Sequence, residues 1–440
     1  MSAGRALAGV VTALYLADRG MSAFGLALVF MAVALSSAVL SAGAGLAADR
    51  VGRRPFLVAF PLLTAAAAAV FATVTWLPAL VVAASVGSLG RGSGAGAAAV
   101  GPYQGAESAL AADSVAPRWR NELFGRLALA STLGALLGSL LAMTAHGHHG
   151  APAAVLPAYR PAFVAVAVVS AVAGLLALGI EDPRRAAGVP PPPRAGREGA
   201  ASWRRRTGWP HRSSTLLLKL WAANGVNGIA VGMFGPFVSY WFYRRFGAGP
   251  GTIGLLFAVV NAATLVSALS AAGLARRFGL IRAVSALRFA QGALLVPLVL
   301  SPSLAVAGAV YLVRMLVQRA ALPLRQSYVL AMAHPDERAS VAALSNLPAQ
   351  LAMGASPLVS GYLLDEVSLA LPFVLAGALQ VLNAAMYWVF FRHALPEEER
   401  PPGEAGSAAP TATAGEDLPA GTARQDLPAG TATPPPHAAS

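Results

Sequence analysis

Long apolar runs separated by short charged turns constrain this chain more than any other feature of its sequence. The runs extend from about Ala6 to Phe391, and only 12% of the 440 residues are charged whereas 56% are hydrophobic. A soluble protein carries roughly 25% charged residues, and it could not hide this much apolar surface. One bilayer span needs about 20 apolar residues, so this region has room for about twelve spans. The sequence therefore predicts an all-α integral membrane protein.

The turns between the runs place the spans. Each span should be a helix, because an unpaired backbone group is costly in lipid. The first span is too short to cross about 30 Å of hydrocarbon: either part of the first helix is missing, or a short helix is tolerated by mismatch. The predicted spans are Arg5–Leu16, Ser22–Ala47, Phe56–Val74, Ala79–Ala111, Leu123–Ala145, Pro161–Ile180, Leu216–Tyr243, Thr252–Leu274, Arg282–Leu300, Leu304–Met332, Ala339–Leu364 and Leu369–Phe391.

Arginine is distributed unequally between alternate loops, which predicts the orientation. The richer set holds Arg184 to Arg212, and the poorer set holds Arg19 and Arg160. Because cytoplasmic loops carry the excess of basic residues, both termini are predicted to be cytoplasmic. The net charge of +13 then reflects topology, so no nucleic-acid partner is expected. Lys219 is the only lysine, which indicates a GC-rich bacterial genome and hence a bacterial cytoplasmic membrane.

A proline-rich basic stretch divides the apolar region near its middle. We interpret residues 181–213 as a cytoplasmic linker between two six-helix bundles, residues 1–180 and 214–392. The halves repeat weakly, since Tyr15-Leu-Ala-Asp-Arg-Gly precedes the second span and Trp241-Phe-Tyr-Arg-Arg-Phe-Gly precedes the eighth. Duplicated bundles are typical of secondary transporters. Residues 393–440 are rich in Pro, Ala, Gly and Thr and predict a disordered cytoplasmic tail.

A motif follows the second span: Gly45-Leu-Ala-Ala-Asp49-Arg50-Val-Gly52-Arg53-Arg54. Gly45 permits close helix approach and Gly52 permits a tight turn. Asp49 at a buried edge needs a cation or a helix N-terminus, and Arg118 or Arg120 in the next cytoplasmic loop could supply the cation. An ordinary positive-inside loop is the alternative.

This motif resembles the signature loop between helices two and three of the major facilitator superfamily. The resemblance covers roughly Arg5 to Arg392. It implies about twelve helices in two six-helix bundles, and a gating latch formed by Asp49 and its basic partner.

Ionisable residues inside the first six spans are candidates for the transport pathway. Arg91 lies near the middle of the fourth span, where a buried arginine is functional by default, and its surroundings resemble the family's fourth-helix arginine motif. A structural arginine bonded to backbone carbonyls is the alternative. Glu107 could exchange protons inside the span, or it could pair with Arg118 or Arg126 at the cytoplasmic edge. Asp18 is a second proton-carrier candidate, or simply a loop residue.

The tenth and fifth spans hold two further groups of candidate residues. The tenth span holds Arg314, Arg319 and Arg325. With Arg91, these cations suit an anionic substrate or pair with Glu107 and Asp18. The remaining group is three glycines of the fifth span, Gly125, Gly134 and Gly138. Their spacing resembles the fifth-helix motif of drug–proton antiporters, although Ser139 stands where that motif has Pro. A helix-packing face explains Gly134 and Gly138 equally well.

The sequence contains no motif of an enzyme or of ATP-driven transport. It lacks the phosphate-binding loop that ends in Gly-Lys-Ser/Thr, and it has no cysteine. We expect no cofactor and no metal site. The predicted function is alternating-access export of an unidentified small molecule by a monomer, driven by protons. Uptake by the same fold, or a transport-inactive membrane sensor or assembly protein, are the alternatives.

Overall fold

The computed structural model describes most of the apolar region. Within α-helices it describes only the backbone of residues 42, 45–46, 48–51, 120–121, 152–154, 265–278, 280–281 and 322–332. The described residues are 1–90, 107–108, 110–111, 114–115, 119–145, 152–180, 214–278, 280–332, 341 and 344–392.

Each of the twelve predicted spans contains a described helix, and the seventh and ninth spans contain two each. The fourth span, predicted as Ala79–Ala111, is not one continuous helix, because its helix ends at Gly87 and Ser88 is left-handed with φ of 53°. Within the described ranges, eight helical segments are long and apolar enough to cross a membrane, and Leu77–Gly87 and Pro250–Thr264 are shorter apolar helices. The predicted all-α membrane fold is confirmed. The helices are α1 (Ser2–Asp18), α2 (Ala23–Val51), α3 (Arg54–Thr73), α4 (Leu77–Gly87), α5 (Arg120–Leu141), α6 (Pro152–Ala177), α7 (Ser214–Phe234), α8 (Val238–Phe246), α9 (Pro250–Phe278), α10 (Leu280–Ala293), α11 (Leu295–Val299), α12 (Leu304–Met332), α13 (Leu347–Glu366) and α14 (Leu371–Phe391).

Prolines account for two differences from the predicted spans. Helix α6 begins at Pro152, earlier than the predicted Pro161, and continues through that proline. Membrane helices tolerate proline because neighbouring groups satisfy the freed backbone. The seventh span is broken by a 3-10 turn at Gly235–Phe237. Close to the break, the hydroxyl of Ser360 donates to the carbonyl oxygen of Met233 at 3.0 Å.

The same set of helix pairs recurs in the two halves of the chain. In the first bundle, α1 packs on α5 and α6, α3 packs on α4 and α6, and α2 packs on α4. In the second, α7 packs on α13 and α14, α10 packs on α12 and α14, and α9 packs on α12. Gly138 of α5 makes one close approach possible, because a Cβ there would lie 2.0 Å from the carbonyl oxygen of Ala3 in α1. Such backbone proximity drives helix association in lipid.

The apolar core is continuous between the bundles on one side of the membrane. We call that side the α1–α2 face, because α1 ends and α2 begins there, and we call the opposite side the α2–α3 face. The largest apolar cluster contains Leu14 and Phe30 of the first bundle together with Phe237 and Phe257 of the second. Towards the α2–α3 face, the described residues form separate clusters. One holds Ala44, Leu57, Phe60, Leu110 and Ala177, and the other holds Leu220, Ala223, Ala283, Val284, Ala320, Val341, Tyr387 and Phe391.

Candidate gates and transport pathway

The carboxylate of Asp18 joins three helices at the α1–α2 face. The hydroxyl of Tyr159 on α6 donates to its Oδ2 at 2.6 Å, and the hydroxyl of Tyr243 on α8 donates to its Oδ1. Tyr159 is fully buried, whereas Asp18 and Tyr243 are partly exposed. Helix α6 belongs to the same bundle as Asp18, but α8 belongs to the other. The Tyr243 bond therefore ties the two bundles together.

A second carboxylate crosses between the bundles at the start of α2. The oxygens of Asp365, near the end of α13, accept the backbone N–H groups of Ala23 at 2.9 Å and Phe24 at 2.7 Å. The first N–H groups of a helix have no partner within it and carry partial positive charge, so a carboxylate is favourable there. One turn earlier, a Cβ on Gly361 would lie 2.7 Å from the oxygen of Ala23 and 2.6 Å from the Cβ of Ala27.

A third contact between the bundles joins α5 and α9. Gly254 lies so close to α5 that a Cβ there would be 2.5 Å from the carbonyl oxygen of Ser139. Deeper in the membrane, Nδ2 of the buried Asn261 lies 3.3 Å from Oγ of Ser139. The three contacts together close the α1–α2 face. Two are made by carboxylates, the third is the close approach of α5 and α9, and the shared apolar cluster lies on the same side.

A buried guanidinium occupies the middle of the second bundle. Arg314 is 1% exposed, and its Cζ lies 4.0 Å from the centre of the Phe234 ring, next to the break that follows α7. Its Nη1 lies 3.3 Å from Oε1 of Gln318 and its Nη2 lies 3.5 Å from Oε1 of Gln380. Amides and an aromatic ring thus surround this cation.

A second guanidinium also lies next to α14, the helix that carries Gln380. Arg288 on α10 donates to Oδ1 of Asn227 at 3.0 Å and to Oδ1 of Asn383, and its Cζ lies 4.5 Å from the centre of the Tyr387 ring. Asn383 and Tyr387 also hydrogen-bond to α7, through the carbonyl of Ala223 and the amide oxygen of Asn224. This network holds α7, α10 and α14 together.

The predicted latch motif falls largely outside the described side chains. Gly45, Asp49 and Arg50 lie in the last turns of α2, where only the backbone is described. Gly52 follows with φ of 93°, the left-handed region that favours glycine. Arg53 precedes α3, and the guanidinium of Arg54 donates to the carbonyl of Leu178 beyond α6. Arg91 and Arg118, and the side chain of Arg120, lie outside the described part.

The other predicted residues are distributed over both bundles. Glu107 is half-buried and close enough to the amino group of Met1 for their charges to interact. Its neighbour Leu110 packs with Leu57 and Phe60 near the start of α3, so Glu107 lies nearer the α2–α3 face. Arg319 is partly buried on α12.

The three predicted packing glycines behave differently. Gly134 and Gly138 face Ser2 and Ala3 of α1, whereas a Cβ on Gly125 would meet nothing within 4 Å. Two of the three therefore lie in a helix contact.

Several polar residues of these sites were not predicted from the sequence. Arg288 and Asn383 stand inside apolar runs, and an ionisable residue in a span is itself a signal of function. The buried Arg5 of α1 carries the same signal. Nothing in the local sequence identifies Tyr243 or Asp365, whose partners lie more than 200 residues away. Within the described ranges, no group of three or more His, Asp and Glu residues could hold a metal ion.

Three solved structures of transporters have a similar fold. A bacterial homolog of the human lysosomal transporter Spinster, in an inward-facing conformation, is 15% identical with a TM-score of 0.64, covering 88% of this chain and 93% of that chain. The xylose transporter XylE from E. coli, in an inward-open conformation, is 14% identical with a TM-score of 0.65, covering 89% and 94%. The human organic anion transporter MFSD10 is 18% identical with a TM-score of 0.53, covering 88% and 97%. At these identities the likeness shows the fold.

Sequence comparison gives the family. No curated protein sequence matches the chain, but the family model of the Major Facilitator Superfamily matches residues 1–218 and 220–427. This match spans both bundles and confirms the resemblance that the motif after the second span indicated. The chain belongs to the major facilitator superfamily, a family of transporters and not of enzymes.

Proposed function

We propose that the chain exports a small molecule across the cytoplasmic membrane of a bacterium by alternating access, as a monomer driven by protons. The observation that carries this proposal is the asymmetry of the core. The bundles share one apolar cluster and cross-bundle hydrogen bonds at the α1–α2 face, whereas the described clusters near the α2–α3 face are separate. Bundles 1–180 and 214–392 would rock about a central site, with residues 181–213 linking them in the cytoplasm.

Each carboxylate has a separate part in this scheme. Asp18 and Asp365 hold the α1–α2 face closed through their cross-bundle bonds. At the α2–α3 face, Asp49 with Arg118 or Arg120 forms the latch that closes the opposite state. Glu107, half-buried near that face, carries the proton, because rocking of the bundles changes its exposure and its charged neighbours.

The chain offers a direct test of the gate because it has no cysteine. The double variant Ala34→Cys/Gly354→Cys places two thiols between α2 and α13, where a Cβ on Gly354 lies 3.5 Å from that of Ala34. A disulfide needs a Cβ separation of about 3.5–4.5 Å. Gly225→Cys/Pro348→Cys, at 3.8 Å between α7 and α13, is a matched control because both helices belong to the second bundle.

Transport is measured in everted vesicles whose interior has been acidified, with a pH-sensitive dye and a panel of small organic compounds. An exported compound that exchanges with protons restores the quenched fluorescence. We expect the α2–α13 disulfide to abolish this signal reversibly and the control disulfide to leave it. If the variant with the α2–α13 disulfide transports as well as the wild type, opening between α2 and α13 is not part of the mechanism. Proton-driven accumulation in right-side-out vesicles would instead identify an uptake symporter, and no flux from a folded protein would favour the sensor.

A further inference from the structure

Arg314 is a buried cation whose hydrogen bonds are poor. Charge-assisted bonds from a guanidinium are usually about 2.7–2.9 Å long, but the two amide contacts of Arg314 measure 3.3 and 3.5 Å. The Sδ atom of Met315, at 3.9 Å, is the remaining contact of Nη1. Nε has no acceptor among the described residues although it is inaccessible to solvent. The surroundings therefore compensate this charge only in part.

Among the described residues of the second bundle, no Asp or Glu lies at the depth of Arg314. No Asp or Glu occurs between Ser214 and His334, or between Ser368 and Arg392. On α13, Asp365 and Glu366 are exposed at the α1–α2 face. Arg314 lies about 15 Å along α12, at mid-membrane depth. Burying an ion costs several kcal/mol unless an opposite charge offsets it, so an anion from outside the second bundle is the natural complement.

The described surroundings of Arg314 differ on its two sides. Towards the α1–α2 face, the buried rings of Tyr311, Phe234 and Phe373 pack together. Towards the α2–α3 face, Gln318 is partly exposed. A 3-10 turn interrupts the seventh span after Phe234, and interrupted membrane helices often form transporter binding sites. A ligand would therefore reach Arg314 by displacing the Gln318 amide.

We propose that Arg314 binds a carboxylate group of the transported molecule, so the substrate is a small organic anion. The two Nη groups of a guanidinium match the two oxygens of a carboxylate. Gln380 and Gln318 are the neutral groups that occupy those donors in the absence of the anion. Arg288, one helical turn along α14 from the Gln380 contact, adds positive potential to the same region. This inference names the substrate class of the proposed transporter and rests on that proposed function.

The test measures binding without any gradient. The purified full-length chain in nanodiscs of neutral lipid is unfolded thermally in the presence of three carboxylates and their amides: benzoate and benzamide, butyrate and butyramide, succinate and succinamide. Inorganic phosphate is a further arm. We expect at least one carboxylate to raise the melting temperature in a saturable manner, and its amide to have no effect. Stabilisation by none of the carboxylates, equally by the amides, or by phosphate alone would overturn the proposal.

Two variants of Arg314 and one control assign the effect to this residue. Arg314→Gln should abolish the stabilisation and, without ligand, melt no lower than the wild type, because it removes a poorly compensated buried charge. Arg314→Lys keeps the charge but loses the paired donors, so the apparent Kd should rise about tenfold or more. Arg126→Gln, which removes an arginine from an exposed ion pair with Glu122, should respond as the wild type does. If Arg314 only stabilises the fold, Arg314→Gln should melt at a lower temperature than the wild type, and Arg314→Lys should bind carboxylates with an unchanged Kd. That pattern would overturn the proposal.

Carboxylate binding and transport are tested by separate measurements. A chain that binds carboxylates through Arg314 but moves nothing in vesicles contradicts only the transport function. A chain that exports compounds but shows no Arg314-dependent carboxylate binding contradicts only the substrate class.

Discussion

The two phenols that meet at Asp18 differ in what they connect. Tyr243→Phe removes a bond between the bundles, whereas Tyr159→Phe removes one within the first bundle. A hydrogen bond to a charged group contributes about 1.5–3 kcal/mol. We expect Tyr243→Phe to shift the conformational equilibrium towards opening of the α1–α2 face by that amount, and Tyr159→Phe to leave the equilibrium nearly unchanged.

The opening can be measured between spin labels at the α1–α2 face. Trp76→Cys and Leu300→Cys place one label on each bundle at exposed positions in a chain without other cysteines. Tyr243→Phe should populate a longer distance between the labels. An unchanged distance distribution would show that the Asp18–Tyr243 bond does not control this face.

Glu107 is the residue on which proton coupling depends in our proposal. Glu107→Gln should stop substrate movement driven by a pH difference, because glutamine cannot release a proton. Exchange between preloaded vesicles should continue, since exchange requires only the rocking of the loaded carrier. If Glu107→Gln still accumulates substrate against a gradient when only a pH difference is imposed, this assignment is wrong. Asp18 would then be the next candidate for the proton carrier.

Local sequence does not determine which distant residues meet in the fold. Asp18 could be selected as an acid beside an apolar run, but its partners are 141 and 225 residues away, and local sequence carries no record of that proximity. Arg314 could be selected as a charge inside a span. Its neutral surroundings depend on how α7, α12 and α14 pack, which periodicity does not determine.

Helices are held together here by small residues, and two glycines of α13 show how closely. A Cβ on Gly361 would lie 2.6 Å from that of Ala27 in α2, whereas one on Gly354 would lie 3.5 Å from that of Ala34. Gly361→Ala should therefore push α2 and α13 apart and populate the longer distance between the labels at positions 76 and 300. Gly354→Ala, on the same helix and facing the same neighbour, should not. If the two variants had the same effect on the distance between the labels, a tight contact between α2 and α13 at Gly361 would be contradicted.

Element positions were easier to predict than element ends. Every predicted span contains a helix because twenty apolar residues in lipid have almost no other way to satisfy their backbone. Helix α6 begins at Pro152, before the predicted Pro161, although Pro157 and Pro161 resemble helix boundaries by the rules of soluble proteins. The break after α7 contains Gly235-Pro236, a signal present in the sequence but overridden by the apolar pattern.

The whole molecule should have an orientation set by its arginines. A periplasmic reporter enzyme fused at Gly147 should be active, and the same reporter at Gly196 should be inactive, because the second position lies in the basic stretch predicted to be cytoplasmic. A cytoplasmic fluorescent reporter at the two positions should give the opposite result. The same side for both positions would contradict the proposed topology, in which both termini are cytoplasmic and the α1–α2 face is therefore outside.

The poorly compensated charge of Arg314 has an electrical consequence for the transporter as a whole. Moving one elementary charge across a membrane changes the free energy by about 2.3 kcal/mol per 100 mV. If the second bundle carries Arg314 through part of that field as it rocks, the membrane voltage favours one orientation of the empty carrier. A bound carboxylate cancels the charge and with it most of that bias. The return of the empty carrier, and not the passage of the loaded one, would then be the voltage-dependent step of the cycle.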